Sequence, residues 1–354
     1  MIDIDFELLR NIGLNQTIAN QLYTLEQAPP GARLARITEV QRDWLTVHDG
    51  REEYRVRALP RVLQALLLQD VALVVGDWVQ VEAHPNGEYW IVARLAPVSH
   101  IARRTNDSRR QSLASNIDTA LLVMGLDHDF NLRRMERYIA LVQAAGVAAV
   151  VVLTKADIGS EVAQRMAQLQ QRLPASVPVC AVNALAPDTA AVLAPWLTPG
   201  QTLMLLGTSG AGKSTLTNTL CGGGQQTGGV RRGDGRGRHT TTSRSLHQCE
   251  GGACIIDTPG LRSWRPDADE RALAATFEDI DALAAGCQFR DCGHADEPGC
   301  AVRGAVDADR LRNYHKLLRE ARRGQQTPLQ RIAERAKWKV LMKSVQQRDR
   351  HNRG

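Results

Sequence analysis

Aromatic residues make up only 4% of this 354-residue chain, too few for a surface that binds mainly by stacking against bases. No secretory leader is expected, because Met1-Ile2-Asp3-Ile4-Asp5 offers neither a basic n-region nor an apolar core. The longest apolar stretch, Ile139 to Leu153, is broken by Gln143 and falls short of the roughly 20 residues that a membrane span needs. Seven cysteines, an odd number, without a leader suit reduced thiols in a cytoplasmic protein better than a disulfide framework. What is present is 43% hydrophobic residues, enough to bury cores in two or three domains.

The formal charge is +6 and is unevenly placed. From Ala301 to Gly354 there are 15 Lys and Arg against 5 Asp and Glu, so this segment carries +10 and everything before it sums to −4. A charge excess confined to one end favours an anionic partner there.

Five stretches are distinguishable. Residues 1–31 read as a helical lead-in ending at Pro29-Pro30-Gly31. Residues 32–97 hold short alternating runs such as Trp44-Leu45-Thr46-Val47 and Tyr54-Arg55-Val56, with Pro85-Asn86-Gly87 as a hairpin turn. That spacing predicts a small barrel of the OB type. A linker rich in Arg, Ser and Asn is expected over 98–115. From 116 to 280 apolar runs (Ala120–Met124, Ala148–Leu153, Pro178–Val182, Leu203–Leu206, Ala253–Ile256) alternate with helical segments such as Leu132–Ala145, the pattern of a parallel sheet with crossover helices. Residues 281–354 are expected as a cysteine-bearing helical module, with helices over Asp307–Arg323 and Leu329–Gln347.

Gly207-Thr208-Ser209-Gly210-Ala211-Gly212-Lys213-Ser214 fits G-x-x-x-x-G-K-[ST], with a strand before it and a helical run from Thr215 after it. Glycines let the loop turn its N–H groups onto phosphates, Lys213 adds a point charge, and the Ser214 hydroxyl is placed to ligate Mg²⁺. The motif specifies a nucleoside triphosphate and says nothing of the base.

Asp257-Thr258-Pro259-Gly260 follows another apolar strand, where an aspartate reaches Mg²⁺ through water and the glycine senses the γ-phosphate. Alone it is merely a turn. Thr154-Lys155-Ala156-Asp157 closes the strand Val150–Leu153, and a carboxylate at Asp157 would accept the paired donors of guanine that adenine lacks. Thr154 stands where asparagine is more usual, a change expected to weaken the contact that braces the loop. Asn183 and Ala184 follow a further strand and are expected to pack over the base. The order of the three motifs is unusual. GTPases ordinarily run phosphate loop, D-x-x-G, then base loop, whereas here Asp157 comes first and Asp257 last. A circular permutation preserves strand neighbours while moving the termini.

Gly222 to Arg238 holds eight glycines in seventeen residues, followed by Arg238-His239-Thr240-Thr241-Thr242. Thr241 is a candidate to complete the Mg²⁺ sphere. Leu261 occupies the position after Gly260 where many GTPases use glutamine to orient the attacking water. His239 is the candidate replacement, and an exposed histidine without a role is the alternative.

Cys287-x4-Cys292-x-His294-x5-Cys300 gathers three thiolates and one imidazole in fourteen residues, the closed four-ligand set of a structural zinc site. The remaining cysteines, Cys180, Cys221, Cys249 and Cys254, read as ordinary core or strand residues.

With barrel, T-K-A-D, G-T-S-G-A-G-K-S-T, R-H-T-T-T, D-T-P-G-L and C-x4-C-x-H-x5-C in this order, the chain resembles the small-ribosomal-subunit-dependent GTPase family RsgA (YjeQ) over nearly its full length. The resemblance implies an OB-fold domain, a circularly permuted α/β P-loop GTPase domain and a C-terminal zinc-binding helical domain. It also implies hydrolysis of GTP with Mg²⁺, stimulated by the small ribosomal subunit during its late maturation, contact with rRNA, and a water-positioning role for His239. A cytoplasmic monomer without membrane contact is expected. Two other classes stay open at this point: a P-loop ATPase or small-molecule kinase, and an RNA-binding module that holds GTP only as a structural ligand.

Overall fold

The computed structural model describes residues 5–24, 31–104, 110–222, 244–249, 251–258, 265–266 and 270–325. Two short helices come first, α1 (Phe6–Arg10) and α2 (Gln16–Thr24). The Asp5 carboxylate caps α1 by accepting from the Leu8 amide. Next come β1 (Arg33–Val40), β2 (Leu45–His48), β3 (Glu53–Ala58), α3 (Pro60–Leu68), β4 (Trp78–Ala83) and β5 (Tyr89–Arg94). Strand pairing runs β1-β2-β3-β5-β4, and β4 pairs with β1 again, so the five strands close into a barrel. This is the strand order of an OB fold. Alternate residues Ile37, Val47, Val56, Val79 and Ile91 fill its interior. The expected hairpin turn joins β4 to β5, with Gly87 in the left-handed region at φ 81°. Alternation does not announce α3, which begins on Pro60 and buries Val62 and Leu66, four residues apart on one face.

Residues 98–115 are not the linker that their composition suggests. They form β6 (His100–Arg104) and β7 (Arg110–Ser115), an antiparallel pair whose Ile101, Leu113 and Ala114 are buried. The polar letters do not mark exposure: Ser99 and Ser115 are buried, Ser99 Oγ donating to Ile117 O at 2.8 Å and Ser115 Oγ to Asp77 Oδ1 at 2.5 Å.

The α/β domain follows with β8 (Thr119–Gly125), α4 (Leu132–Ala144), β9 (Ala148–Thr154), α5 (Val162–Arg172), β10 (Val179–Ala181), α6 (Thr189–Leu193), β11 (Thr202–Leu206), α7 (Lys213–Leu220), β12 (Ser245–Gln248) and β13 (Cys254–Asp257). The strands lie in the order β10-β9-β8-β11-β13, all parallel, with β12 antiparallel beyond β13. Helices on both faces explain the unbroken apolar strands. In β8, Leu122 and Met124 pack with Met135, Ile139 and Leu169 from α4 and α5. Leu121 and Val123 point the other way, towards Leu193, Leu216 and Leu220 of α6 and α7. β12 continues into the barrel through Ser245, which pairs with Glu39 of β1.

The last described elements are β14 (Arg265–Pro266), which pairs with β6, then α8 (Glu270–Thr276), α9 (Glu278–Ala284) and α10 (Ala308–Gln325). Leu273, Phe277 and Ile280 share a core with Val302, Leu317 and Ala321. Ala140 of α4 lies in the same core, so α8 and α9 pack between the α/β domain and the C-terminal module beyond residue 280. The module docks on α4 and α5 through a buried ionic cluster. Glu136, fully buried, accepts from Arg310 at 2.6 Å, Arg172 at 3.0 Å and Asn313 at 2.5 Å, while Arg310 also holds Asp279 at 2.6 Å. The second expected C-terminal helix, Leu329–Gln347, lies outside the described residues.

A second buried ion joins the other domains. Arg36 of β1 is fully buried beside Trp78 and donates to Ile12 O at 2.6 Å, Thr202 Oγ1 at 2.8 Å, Asn116 O at 2.9 Å and Gly76 O at 3.3 Å. Its one guanidinium thus bonds the lead-in, the barrel and the α/β sheet. Burial lowers its pKa, and Cys254, Asp118 and Asp77 oppose that. We expect Arg36→Met to keep much of the apolar packing yet leave these acceptors without a donor, at a cost on the order of 3 kcal/mol. A lower melting temperature, with faster proteolysis between barrel and α/β sheet, is the expected result; an unchanged melting profile would contradict it.

Candidate functional site

The motif residues read from sequence converge at one edge of the parallel sheet. Thr154, Lys155, Ala156 and Asp157 end β9; Asn183 and Ala184 lie just past β10; Gly207 to Thr215 run from β11 into α7; and Asp257 ends β13. Loops after the carboxyl ends of parallel strands form the binding crevice of such sheets, at the point where strand order reverses. Here the reversal falls between β8 and β11.

Local sequence explains the shape of the phosphate loop. Gly210 and Gly212 take φ of 84° and 93°, a region that other residues enter at a cost. A Cβ on Gly207 would lie 2.4 Å from the carbonyl oxygen of Val123, so that position tolerates no side chain. Lys213 curls back over the loop, its Nζ donating to Gly207 O at 3.0 Å and Thr208 O at 2.8 Å. Burial lowers the lysine pKa, against the opposing pull of Asp257 and Asp129. Ser214 is exposed in the first turn of α7, whose free N–H groups suit an anion.

The base loop is bonded directly to the phosphate loop. Thr154, fully buried, donates its hydroxyl to the Ala211 carbonyl at 2.6 Å. The threonine therefore supplies the bracing contact that its replacement of asparagine was expected to weaken. Ala156 N donates to Val182 O at 3.2 Å, and Thr219 of α7 donates to Ala184 O at 2.6 Å, so the companion loop is tied to both. Asp157 is exposed in the turn after β9.

Asp257 is pushed up in pKa by burial, against the pull of Lys213 and His247. Its Oδ1 is buried with no hydrogen-bond partner among the described residues. An orphaned carboxylate oxygen beside a phosphate cradle fits a hydrated Mg²⁺. Thr258 ties the same segment to Leu205 O at 2.6 Å. His239, Thr241, Gly260 and Leu261 lie outside the described residues.

The cysteine cluster lies elsewhere, in the loop between α9 and α10. Ligand atoms of Cys287, Cys292, His294 and Cys300 all lie within 4.8 Å of one another. His294 Nδ1 is 3.6 Å from both Cys287 Sγ and Cys300 Sγ, which are themselves 4.0 Å apart. A tetrahedron with metal–sulfur bonds of about 2.3 Å has edges near 3.8 Å, so the donor set fits zinc in number, type and spacing. His294 adopts φ 59°, an unfavourable conformation that turns its ring to the thiols. The Arg303 amide, first among several influences, lowers the Cys300 thiol pKa, while that of Cys292 in the same cluster is raised.

Sequence reasoning missed the loop between β8 and α4. Asp127 accepts from Lys155 Nζ at 2.7 Å, and Asp129 accepts from Thr208 Oγ1 at 2.8 Å. The available signal was position: Asp127 and Asp129 follow an apolar strand as the recognised motifs do.

Comparison with known proteins agrees with this geometry. Residues 96–266 match the family model described as RsgA GTPase. The chain is 42% identical over 335 residues to "Small ribosomal subunit biogenesis GTPase RsgA" of Xanthomonas axonopodis pv. citri, covering 92% of this chain and 91% of that protein. The protein of the same name from Xanthomonas oryzae pv. oryzae gives the same figures. Among solved structures, YjeQ from Thermotoga maritima superposes with a TM-score of 0.60 at 22% identity, covering 82% of this chain and 98% of that one. YloQ, described as a circularly permuted GTPase, gives 0.56 at 21% identity, covering 84% and 98%. At these identities the two structures speak to the fold.

The Thr154 hydroxyl yields a prediction. Thr154→Val keeps the shape but leaves the Ala211 carbonyl without its donor, a loss of about 1–3 kcal/mol. Nucleotide affinity should fall roughly tenfold in a titration with GDP. Parental affinity in the valine variant would mean that the bond does not hold the phosphate loop in shape.

Proposed function

The chain belongs to the RsgA GTPase family, and from that premise we propose that it binds and hydrolyses GTP in the maturation of the small ribosomal subunit. The observation that carries the reading is the Thr154 bond to Ala211, which joins a guanine-type T-K-x-D loop to a phosphate loop in one crevice. The relatives' names supply the subunit.

In this reading Asp157 accepts the paired donors of guanine, Lys155 and Ala156 line the base, and Asn183 with Ala184 covers it. The amides of Gly207 to Gly212 and the first-turn N–H groups at Ser214 and Thr215 hold the phosphates, with Lys213 between them. Mg²⁺, when bound, would supply positive charge against the charge that develops during transfer. Ser214, Asp257 through water, and Thr241 would hold it, and Gly260 would sense the γ-phosphate. His239 orients the attacking water in place of the glutamine that Leu261 lacks. Support for that role is chemical: leucine offers water no hydrogen bond, and imidazole does.

The cysteine cluster is proposed as a structural zinc site, one ion per chain, with all four ligand positions filled by protein. The positive C-terminal segment beside it would meet the phosphate backbone of rRNA. No helix among the described residues is long and apolar enough to cross a membrane, and we propose a cytoplasmic protein that meets the subunit as a monomer at a late stage of its assembly.

Hydrolysis measured with and without purified small subunits tests the reading. Turnover should be slow alone and rise with the subunit. His239→Ala should lose about 10²–10⁴-fold of the stimulated rate, the range for a positioned acid–base group, while binding of GTP and of the subunit persists. A stimulated rate equal to that of the parent would remove His239 from the mechanism, and absence of stimulation would remove the subunit.

A further inference from the structure

One strand end in the crevice carries no motif in the reading above. β8 lies between β9 and β11 in the sheet, so the loop from Gly125 to Asn131 emerges between the base loop and the phosphate loop. It touches both. Asp127 Oδ2 accepts from Lys155 Nζ at 2.7 Å, and this bond is the first cause that holds the Asp127 carboxyl below its ordinary pKa. Asp129 Oδ1 accepts from Thr208 Oγ1 at 2.8 Å, inside the phosphate loop.

The loop is itself braced, so these contacts impose positions and do not merely follow them. Asp129 N donates to Asp127 Oδ1 at 3.0 Å, and Gly125 N donates to Asp129 Oδ2 at 3.3 Å. Arg134 of α4 bonds Asp129 Oδ1 at 2.6 Å and also its backbone carbonyl. Asn131 caps α4 by accepting from the Arg134 amide at 2.9 Å. A Cβ on Gly125 would stand 2.7 Å from Asp127 Oδ1, so a side chain there would displace this carboxylate. Arg134 also neutralises Asp129, which lets a carboxylate approach a phosphate site without repelling its ligand.

Lys155 has something to gain from being held. Its backbone is left-handed, φ 62°, a region that a residue with a side chain enters at a cost. A lysine side chain also gives up much rotamer freedom when fixed. A partner that fixes it before the nucleotide arrives moves that cost out of the binding step.

We propose that the β8–α4 loop is a positioning element of the nucleotide site, in which Asp127 acts on the base side through Lys155 and Asp129 acts on the phosphate side through Thr208. Neither carboxylate touches the nucleotide. The inference rests on the GTP reading above and deepens it.

The test uses the full-length protein and two probes in calorimetric titrations: GDP, which fills the whole site, and inorganic tripolyphosphate, which fills only the phosphate cradle. Asp127→Ala should weaken GDP roughly three- to tenfold and leave tripolyphosphate unchanged, with Asp127→Asn in between because it keeps an acceptor without charge. Asp129→Ala should weaken both probes by similar factors. Thr208→Val, a near-isosteric change that removes only the donor, should repeat that pattern if the alanine variant folds poorly. Equal losses of both probes in Asp127→Ala and Asp127→Asn, or unchanged affinities in Asp127→Ala or in Thr208→Val, would overturn the inference. A parent that fails to prefer GTP over ATP would instead overturn the reading on which it rests.

Discussion

Side-by-side parallel pairing of β9, β8, β11 and β13 is the constraint on which the site depends. Thr154 lies level with Gly125, Leu206 with Leu122, and Met204 with both Ala120 and Ile256. That register brings the strand ends to one edge, and the loops that follow them meet there whatever their order along the chain. Spatial neighbours are set by hydrogen-bonded pairing and by side chains alternating between two helical layers, not by chain order. A circular permutation is tolerated for this reason: it relocates the termini and leaves Thr154 beside Ala211 and Thr258 beside Leu205.

Two buried ions then fix the other domains to this sheet. Arg36 binds the barrel and lead-in through acceptors on Ile12, Gly76, Asn116 and Thr202. Glu136 binds the C-terminal module through Arg310 and Asn313, with Arg172 completing its shell. Both hubs would be expensive if any partner were removed, since a buried charge tolerates little mismatch. α4 stands between the site and the second hub. Its first turn holds Asp129 through Arg134, and the next turns present Glu136 and Arg137 to α10, where Arg137 meets Glu320 at 2.5 Å. The phosphate loop and the zinc-fitting module are thereby joined through a single helix.

What the sequence made legible was whatever is contiguous in it. The phosphate loop, the T-K-A-D turn and the four metal-type ligands are short strings whose chemistry depends on local spacing, and the structure assembles each as a unit. The strand runs were legible for the same reason, since strands buried on both faces read as unbroken apolar letters. What stayed hidden depends on residues far apart. The partners of Arg36 are scattered from Ile12 to Thr202, and no local pattern links them. The strands at 98–115 were masked by polar letters because a buried serine such as Ser115 is satisfied by a residue distant in sequence, here Asp77. For helices α8 and α9, only the packing of Leu273, Phe277 and Ile280 with Ala140, Val302 and Leu317 shows that their core spans α4 and the C-terminal residues. Thr154 misled in a different way: comparison of side chains suggested a weaker brace, but position decided the matter, because its hydroxyl is within reach of Ala211.

The central claim is that this crevice selects guanine through Asp157 on a base loop welded to the phosphate loop. Competition titrations of GTP, ATP and XTP against the parent and Asp157→Asn test it most directly. The account predicts that the parent prefers GTP, and that the amide variant loses this preference and gains XTP, because an amide donor meets the oxygen that xanthine carries in place of guanine's amine. Equal GTP affinity in parent and variant, with no gain for XTP, would contradict it.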